Sequence, residues 1–377
     1  MTEKKIARLA DVVGLINRIS PPHLAEDWDN VGLQIGDPNV AIQRVLICLD
    51  VDSSTVEEAG RLGAQLIVSH HPLIFRPLKR LSPVDPQGDI ICRAIRQNIA
   101  VVAAHTNLDR AVDGLNDWLA EELGLSAVVP LERPRTDGYQ KLVVYVPVGH
   151  ENAVMDAMFK AGAGHIGAYD RCSFRTLGTG TFRGGTGTDP FIGTPGSQEE
   201  AEELRLETIV PVPLQERIVA RMVKAHPYEE VAYDLIPLAN PVNGPGLGRL
   251  GVLDKQMILS EFARQVKDSL GVGAVRMVGE GDQAINKVAV CGGAGMGVYA
   301  DALRHGADCL VSGDIKFHEA HRARNDGMAL IDAGHFGTEK IMITKLSERL
   351  TALAVQHHYQ LEVHAMTTEK DPFITIT

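Results

Sequence analysis

Cysteine is sparse and scattered: Cys48, Cys92, Cys172, Cys291 and Cys309 form an odd set with no C-x-x-C pair. That argues against a disulfide framework and a thiolate zinc site, and it fits a reducing compartment. Long apolar runs are missing too; none approaches the ~20 residues of a membrane span. No apolar signal core follows Met1-Thr2-Glu3-Lys4-Lys5. A cytoplasmic location and no membrane partner are therefore expected. Nor is there a basic block: the formal charge is −11, from 37 basic and 48 acidic residues. Nucleic-acid binding by bulk electrostatics is disfavoured. The sequence also lacks a G-x-S-x-G elbow and the Lys-Ser/Thr of a P-loop.

What is present is ordinary globular composition over 377 residues, 45% hydrophobic and 23% charged. The length suits about two or three domains. The first part alternates strand and helix patterns. Val45-Leu46-Ile47-Cys48-Leu49, Ala64-Gln65-Leu66-Ile67-Val68 and Ala100-Val101-Val102-Ala103-Ala104 read as buried strands, with helices over 53–62 and 89–97 between them. The last part repeats the style, with strands at 287–291, 309–312 and 328–332 and helices at 298–305 and 319–324. Such alternation predicts βαβ units and a mostly parallel sheet.

The middle differs. Strands over 140–147, 207–212 and 231–238, helices over 152–161 and 215–225, and a Gly/Thr-rich hairpin with a long loop at 162–187 give a β-α-β-β-α-β order. That is the ferredoxin-like split motif. Breaker-rich stretches, Arg133-Pro134-Arg135 and Asn240-Pro241-Val242-Asn243-Gly244-Pro245-Gly246, mark its edges. The expected architecture is a discontinuous, mostly parallel α/β domain, 1–136 and 242–377, with an inserted ferredoxin-like α+β domain at 137–241.

Three strand ends carry chemistry. Ser69-His70-His71-Pro72 closes one strand, since Pro72 cannot donate to a ladder. His105-Thr106-Asn107-Leu108-Asp109 closes a second. Asp332-Ala333-Gly334-His335-Phe336-Gly337-Thr338-Glu339 closes a third, with His335 and Glu339 four apart on one helical face. In α/β folds, sites gather beyond the carboxyl ends of strands. Imidazole with carboxylate suits zinc, iron, manganese or cobalt. The count fits two metals: His70 and His335 for one or each, His71 for the other, Asp109 and Glu339 bridging or capping. Blander roles stay open, with Asp109 as a helix cap and His105 bonded to a backbone carbonyl.

Weaker signals accompany these. Trp28-Asp29-Asn30-Val31-Gly32-Leu33 is a polar-aromatic loop that lines or pins the pocket. Ser312-Gly313-Asp314 follows a strand, and His318 and His321 lie three apart on a helix. Gly292-Gly293-Ala294-Gly295 is a strand-to-helix turn that could cradle phosphate.

Taken in order, the Trp28–Leu33 loop, Ser69–Pro72, His105–Asp109, Ser312-Gly313-Asp314 and Gly334-His335 with Glu339 resemble one family. It is the dinuclear-metal-centre hexameric family, whose members carry the name GTP cyclohydrolase I type 2 homologues. The middle, with Ala225-His226-Pro227-Tyr228-Glu229-Glu230, is similar to the insert of longer members, which resembles copper-tolerance and nitrogen-regulatory folds. The resemblance implies two divalent ions (zinc, iron or manganese) on His70, His71, Asp109, His335 and Glu339. It also implies a toroidal homohexamer with a small-molecule ligand of the nucleotide class, and hydrolytic opening of the guanine imidazole ring of GTP with release of formate. His105 and His318 are the proton-transfer candidates. A dinuclear phosphoesterase and a non-catalytic metal-handling or regulatory assembly are the alternatives.

Overall fold

The computed structural model describes residues 5–132, 138–167, 169–238, 245–374 and 376. The chain divides into two units, Met1–Arg133 with Pro245–Thr377, and Pro134–Gly244. The expected boundary stretches, Arg133-Pro134-Arg135 and Asn240 to Gly244, lie outside the described residues.

In the larger unit, two mixed sheets replace the single sheet anticipated. The first runs Glu362–Ala365, Arg44–Cys48, Leu66–Ser69, Ala100–Ala103 and Gly32–Ile35. Its first four strands are parallel and Gly32–Ile35 is an antiparallel edge. Every residue of Leu66–Ser69 and of Ala100–Ala103 is buried, as near-continuous apolar runs require when both faces are covered. Helix Leu9–Ile19 covers the sheet through Leu9, Val12, Leu15 and Ile16, a helical stripe, and helix Ile341–Gln356 adds Met342, Leu346 and Leu350. Each such buried side chain contributes about 1.5–3 kcal/mol. Helix Ser53–Leu62 starts where Asp52 accepts the Thr55 N–H and stops at Gly63, whose φ of 63° favours glycine.

The second sheet runs Arg276–Val278, Ala329–Asp332, Cys309–Ser312, Ala284–Val290, Arg249–Ile258 and Leu125–Pro130. Only its central trio is parallel; the outer strands pair antiparallel. Alternation sorts its side chains between two cores. Val288, Val290, Val311 and Ile331 point to one face, and Ala289, Leu310 and Leu330 to the other. In both sheets, the carboxyl ends of the parallel strands lead directly into the histidines and acids singled out above.

The smaller unit has strands Tyr139–Pro147, Ser173–Arg183, Gln198–Pro211 and Tyr233–Pro237, with helices Glu151–Ala161 and Gln215–Ala225. The sheet order is Tyr233–Pro237, Tyr139–Pro147, Gln198–Pro211, Ser173–Arg183, antiparallel throughout. Leu142, Val144, Val146 and Leu206 meet Val154, Met158, Ile218 and Met222 from the helices. The strand expected to start at 207 begins at Gln198, because its polar half (Glu199, Glu200, Glu202) pairs with the hairpin partner. Among the described residues, no helix is long and apolar enough to cross a membrane.

Candidate metal centre

Four imidazoles and two carboxylates from both sheets of the larger unit converge. His70 and His71 follow strand Leu66–Ser69, and Ser69 Oγ fixes the bend by donating to the His71 carbonyl at 2.7 Å. His105 precedes the short helix Thr106–Arg110, which carries Asp109. His335 and Glu339 open and close helix His335–Glu339, entered through Gly334 at a φ of 78°. Ring centroids lie 5.2 Å apart for His70 and His71, 5.2 Å for His70 and His105, and 5.3 Å for His71 and His335.

Each ring is anchored by Nδ1 to an oxygen. His70 Nδ1 donates to the Ala104 carbonyl at 2.8 Å. His71 Nδ1 meets Asp50 at 2.9 Å, His105 Nδ1 meets Asp29 at 2.9 Å, and His335 Nδ1 meets Asp314 at 2.8 Å. Tying Nδ1 to an oxygen fixes the ring and leaves Nε2 as the nitrogen available for a cation, as in the histidine shells of metal sites. His71 Nε2 and His335 Nε2 sit 3.0 and 3.1 Å from the same oxygen, Glu339 Oε2, and 3.3 Å from each other. His70 Nε2 lies 3.5 Å from Asp109 Oδ1 and 3.7 Å from Glu339 Oε1. Donor atoms of His70, His71 and His105, and those of His71, His335 and Glu339, fall within 4.8 Å of one another. These two triplets share His71.

The charges show what the cluster needs. His70 Nε2 and Asp109 Oδ1 are buried without a hydrogen-bond partner. Because a carbonyl holds His70 Nδ1, neutral His70 turns a lone pair toward two carboxylates, an arrangement that calls for a cation. Burial raises the pKa of Asp109, and neighbouring Glu339 raises it further. Burial also opposes charge on Glu339, yet His70, His335 and His71 hold its carboxyl well below the usual range. Burial works against protonated His71, but its bonds to Asp50 and Glu339 push its pKa up to about 10. The bond to Glu339 takes His335 up to about 9 against burial. Protons are thus gathered by the same lone pairs that would ligate a metal. The donor set therefore fits divalent cations.

Not every expected residue joins. His318 lies exposed on helix Phe317–Asp326, stacked edge-on against Phe317, and His321 faces Asn325. Asp332 turns to Arg276 and accepts the Gly334 N–H. The Gly292–Gly295 turn is no phosphate cradle, because the N–H groups of its three glycines are already used. Gly292 donates to Asn116, Gly293 to Thr338 and Gly295 to Ser312. Its glycines serve packing: a Cβ on Gly293, whose φ is 59°, would stand 2.2 Å from Glu339 Oε1.

The anchoring acids are the residues that sequence reasoning undervalued. Asp29 and Asp314 belong to motifs that the sequence singles out without pairing either acid to a histidine, and Asp50 lies in none of them. Its one available signal is its place just past strand Arg44–Cys48. Asp29 also accepts the Thr106 N–H; against the cost of burial, its bonds with His105 and Thr106 lower its pKa to about 2. Asp314 holds a left-handed φ of 55°, rare outside glycine, which aims its carboxylate at His335. Asp314→Ala should weaken divalent-metal affinity by roughly 10–100-fold, the usual effect of losing an orienting partner. Competition with a chromophoric chelator measures this, and an unchanged affinity would count against the orienting role.

Fold and site together define a class: an α/β protein with a histidine–carboxylate cluster at the carboxyl ends of parallel strands. The family model described as Duf34/NIF3 (NGG1p interacting factor 3) matches residues 7–372, and the chain belongs to that family. A Halalkalibacterium halodurans protein named GTP cyclohydrolase 1 type 2 homolog is 47% identical, covering 99% of this chain and 100% of its own length. The Bacillus subtilis protein of the same name is 44% identical over 96% of this chain and 97% of its own. A crystal structure of a Bacillus cereus protein related to NIF3 superposes with a TM-score of 0.81 at 43% identity, covering 99% of this chain and 100% of that one.

Proposed function

We propose that this chain holds two divalent metal ions and acts as a metal-dependent hydrolase on a nucleotide or related heterocycle. The hydrolytic opening of the guanine imidazole ring of GTP is the first reaction to test. The observation that carries this reading is the set of four Nδ1-anchored imidazoles, three of which (His70, His71 and His335) turn their Nε2 toward Asp109 or Glu339. His70, His71, Asp109, His335 and Glu339 would hold the metals, drawn from zinc, iron and manganese. When bound, they would supply Lewis acidity and a water acidic enough to attack near neutral pH. His105 is outside that set, with Asp29 holding its Nδ1, so its Nε2 is placed to accept and return a proton. His318 has no such support. Trp28, 60% exposed, packs edge-on against His105 and Phe75 and offers an apolar wall for a flat ring.

The GTP reading draws on the names of the Halalkalibacterium and Bacillus relatives. The toroidal homohexamer belongs to the same reading, and exposed apolar residues such as Phe317 fit surfaces covered on assembly. Five free cysteines are consistent with a cytoplasmic location. In the smaller unit, the antiparallel order with the fourth strand beside the first and the third beside the second supports the inserted ferredoxin-like domain.

The test is GTP turnover and formate release on protein of measured metal content, for wild type and His71→Ala. Turnover should track metal and vanish in the variant. Metal-loaded protein that turns over none of a panel of nucleotides would reject the hydrolase and leave metal handling as the function.

A further inference from the structure

The Ala225-His226-Pro227-Tyr228-Glu229-Glu230 segment has no part in the metal centre, yet it builds one wall of a cavity of about 400 Å³ in the Pro134–Gly244 unit. That volume is in the range of small-molecule sites. Phe182, Phe191, Tyr145, Tyr228, Glu203 and Glu230 are among its lining residues. Tyr228 is central: its ring lies 6.3 Å from that of Phe182 and 6.1 Å from that of Phe191. His226 holds it there. Its Nε2 donates to the Tyr145 carbonyl at 2.9 Å, and its Nδ1 accepts the Tyr228 N–H at 3.1 Å. The loop carrying Phe191 is tied down by the Asp189 N–H, which donates to Glu229 at 3.1 Å.

Glu203 gives the cavity its chemistry. On strand Gln198–Pro211, Leu204, Leu206 and Val210 face the helices, so Glu203 points to the opposite face, among the rings. Only 8% of it is exposed. Glutamate is seldom buried so deeply without a cation. Its hydrogen bond comes instead from a neutral phenol, Tyr228 Oη, at 2.8 Å. Among the described residues no basic side chain pairs with Glu203: Lys141 and Arg205 pair with Glu207, and Arg183, itself in the cavity lining, donates its Nε to the Gly196 carbonyl. The neighbouring strand makes room for the carboxylate with a glycine, since a Cβ on Gly180 would lie 2.1 Å from Glu203 Oε2.

We infer that this cavity binds a small organic cation, an ammonium or amidinium on a flat apolar body. Glu203 meets the charge, with Glu230 at the wall, while Phe182, Phe191 and Tyr228 present ring faces and edges to the apolar part. The same chemistry could be supplied by a Lys or Arg side chain from a second copy, and the test separates the two sources.

The test is calorimetric titration of the full chain with benzamidinium, using benzyl alcohol and benzoate as neutral and anionic counterparts. Light scattering on the same samples reports the oligomeric state. Benzamidinium should bind once per chain and at least tenfold tighter than either counterpart. Glu203→Gln should weaken it at least tenfold. Phe191→Ala, at a 52% exposed position where folding is not at risk, should weaken it severalfold. Equal binding of all three probes, or benzamidinium binding that survives both variants, would overturn the proposal. So would a wild type that binds no probe while either variant changes the oligomeric mass, which would assign the cavity to a second copy.

Discussion

Glu339→Gln should cost this protein most of its bound metal. The substitution keeps the side chain's size and removes one charge, and among the described residues no other carboxylate stands so close to three imidazoles. Its Oε2 lies 3.0 Å from His71 Nε2 and 3.1 Å from His335 Nε2, while its Oε1 is 3.7 Å from His70 Nε2. Its environment is built for a carboxylate, with Gly293 left bare so that Oε1 can approach the backbone. A carboxamide there would present an N–H₂ group to nitrogens that should be ligating. The loss of affinity should exceed the roughly 10–100-fold expected of an orienting residue such as Asp314. Equilibrium dialysis against zinc or manganese measures it. A variant that retains wild-type affinity would remove Glu339 from the ligand set.

The second large effect is on stability. Arg249 is 1% exposed and makes five hydrogen bonds: a two-pronged pair with Asp117 at 2.6 and 2.7 Å, and bonds to the Gly246, Gly248 and Ala111 carbonyls. Asp117 is its only salt-bridge partner among the described residues. Asp117→Ala would leave a guanidinium buried with only carbonyls around it. Removing one member of such a pair costs about 3–5 kcal/mol. Urea unfolding should show that loss, and a change under 1 kcal/mol would mean that water reaches the guanidinium. The pair also joins distant parts of the sequence, because Ala111 follows the helix that carries Asp109. Metal affinity should therefore fall with stability in this variant.

The strand-end histidines were legible because their signal is local. An apolar run ending in Ser-His-His-Pro states both the strand and its termination, and His335 with Glu339 state a helical face. What places Asp50 beside His71 is the pairing of Arg44–Cys48 with Leu66–Ser69, and nothing near position 50 records that pairing. The same gap hid the second sheet: alternation shows that 309–312 and 329–332 are strands without showing that they pair apart from 66–69. The Gly292–Gly295 turn misled for a related reason. Glycines that free backbone N–H groups for phosphate look the same as glycines that admit Glu339. Their actual partners, Asn116, Thr338 and Ser312, come from far along the chain. His318 illustrates the reverse error, a chemically apt residue near a good motif that the helix turns to solvent.

The central claim is a two-metal site in which each member of the His70-His71 doublet serves a different ion. Elemental analysis by plasma mass spectrometry on protein saturated with manganese or zinc and freed of loose metal tests it most directly. The account predicts two ions per chain, falling to one or none in His71→Ala. One ion per wild-type chain, or none, would contradict it.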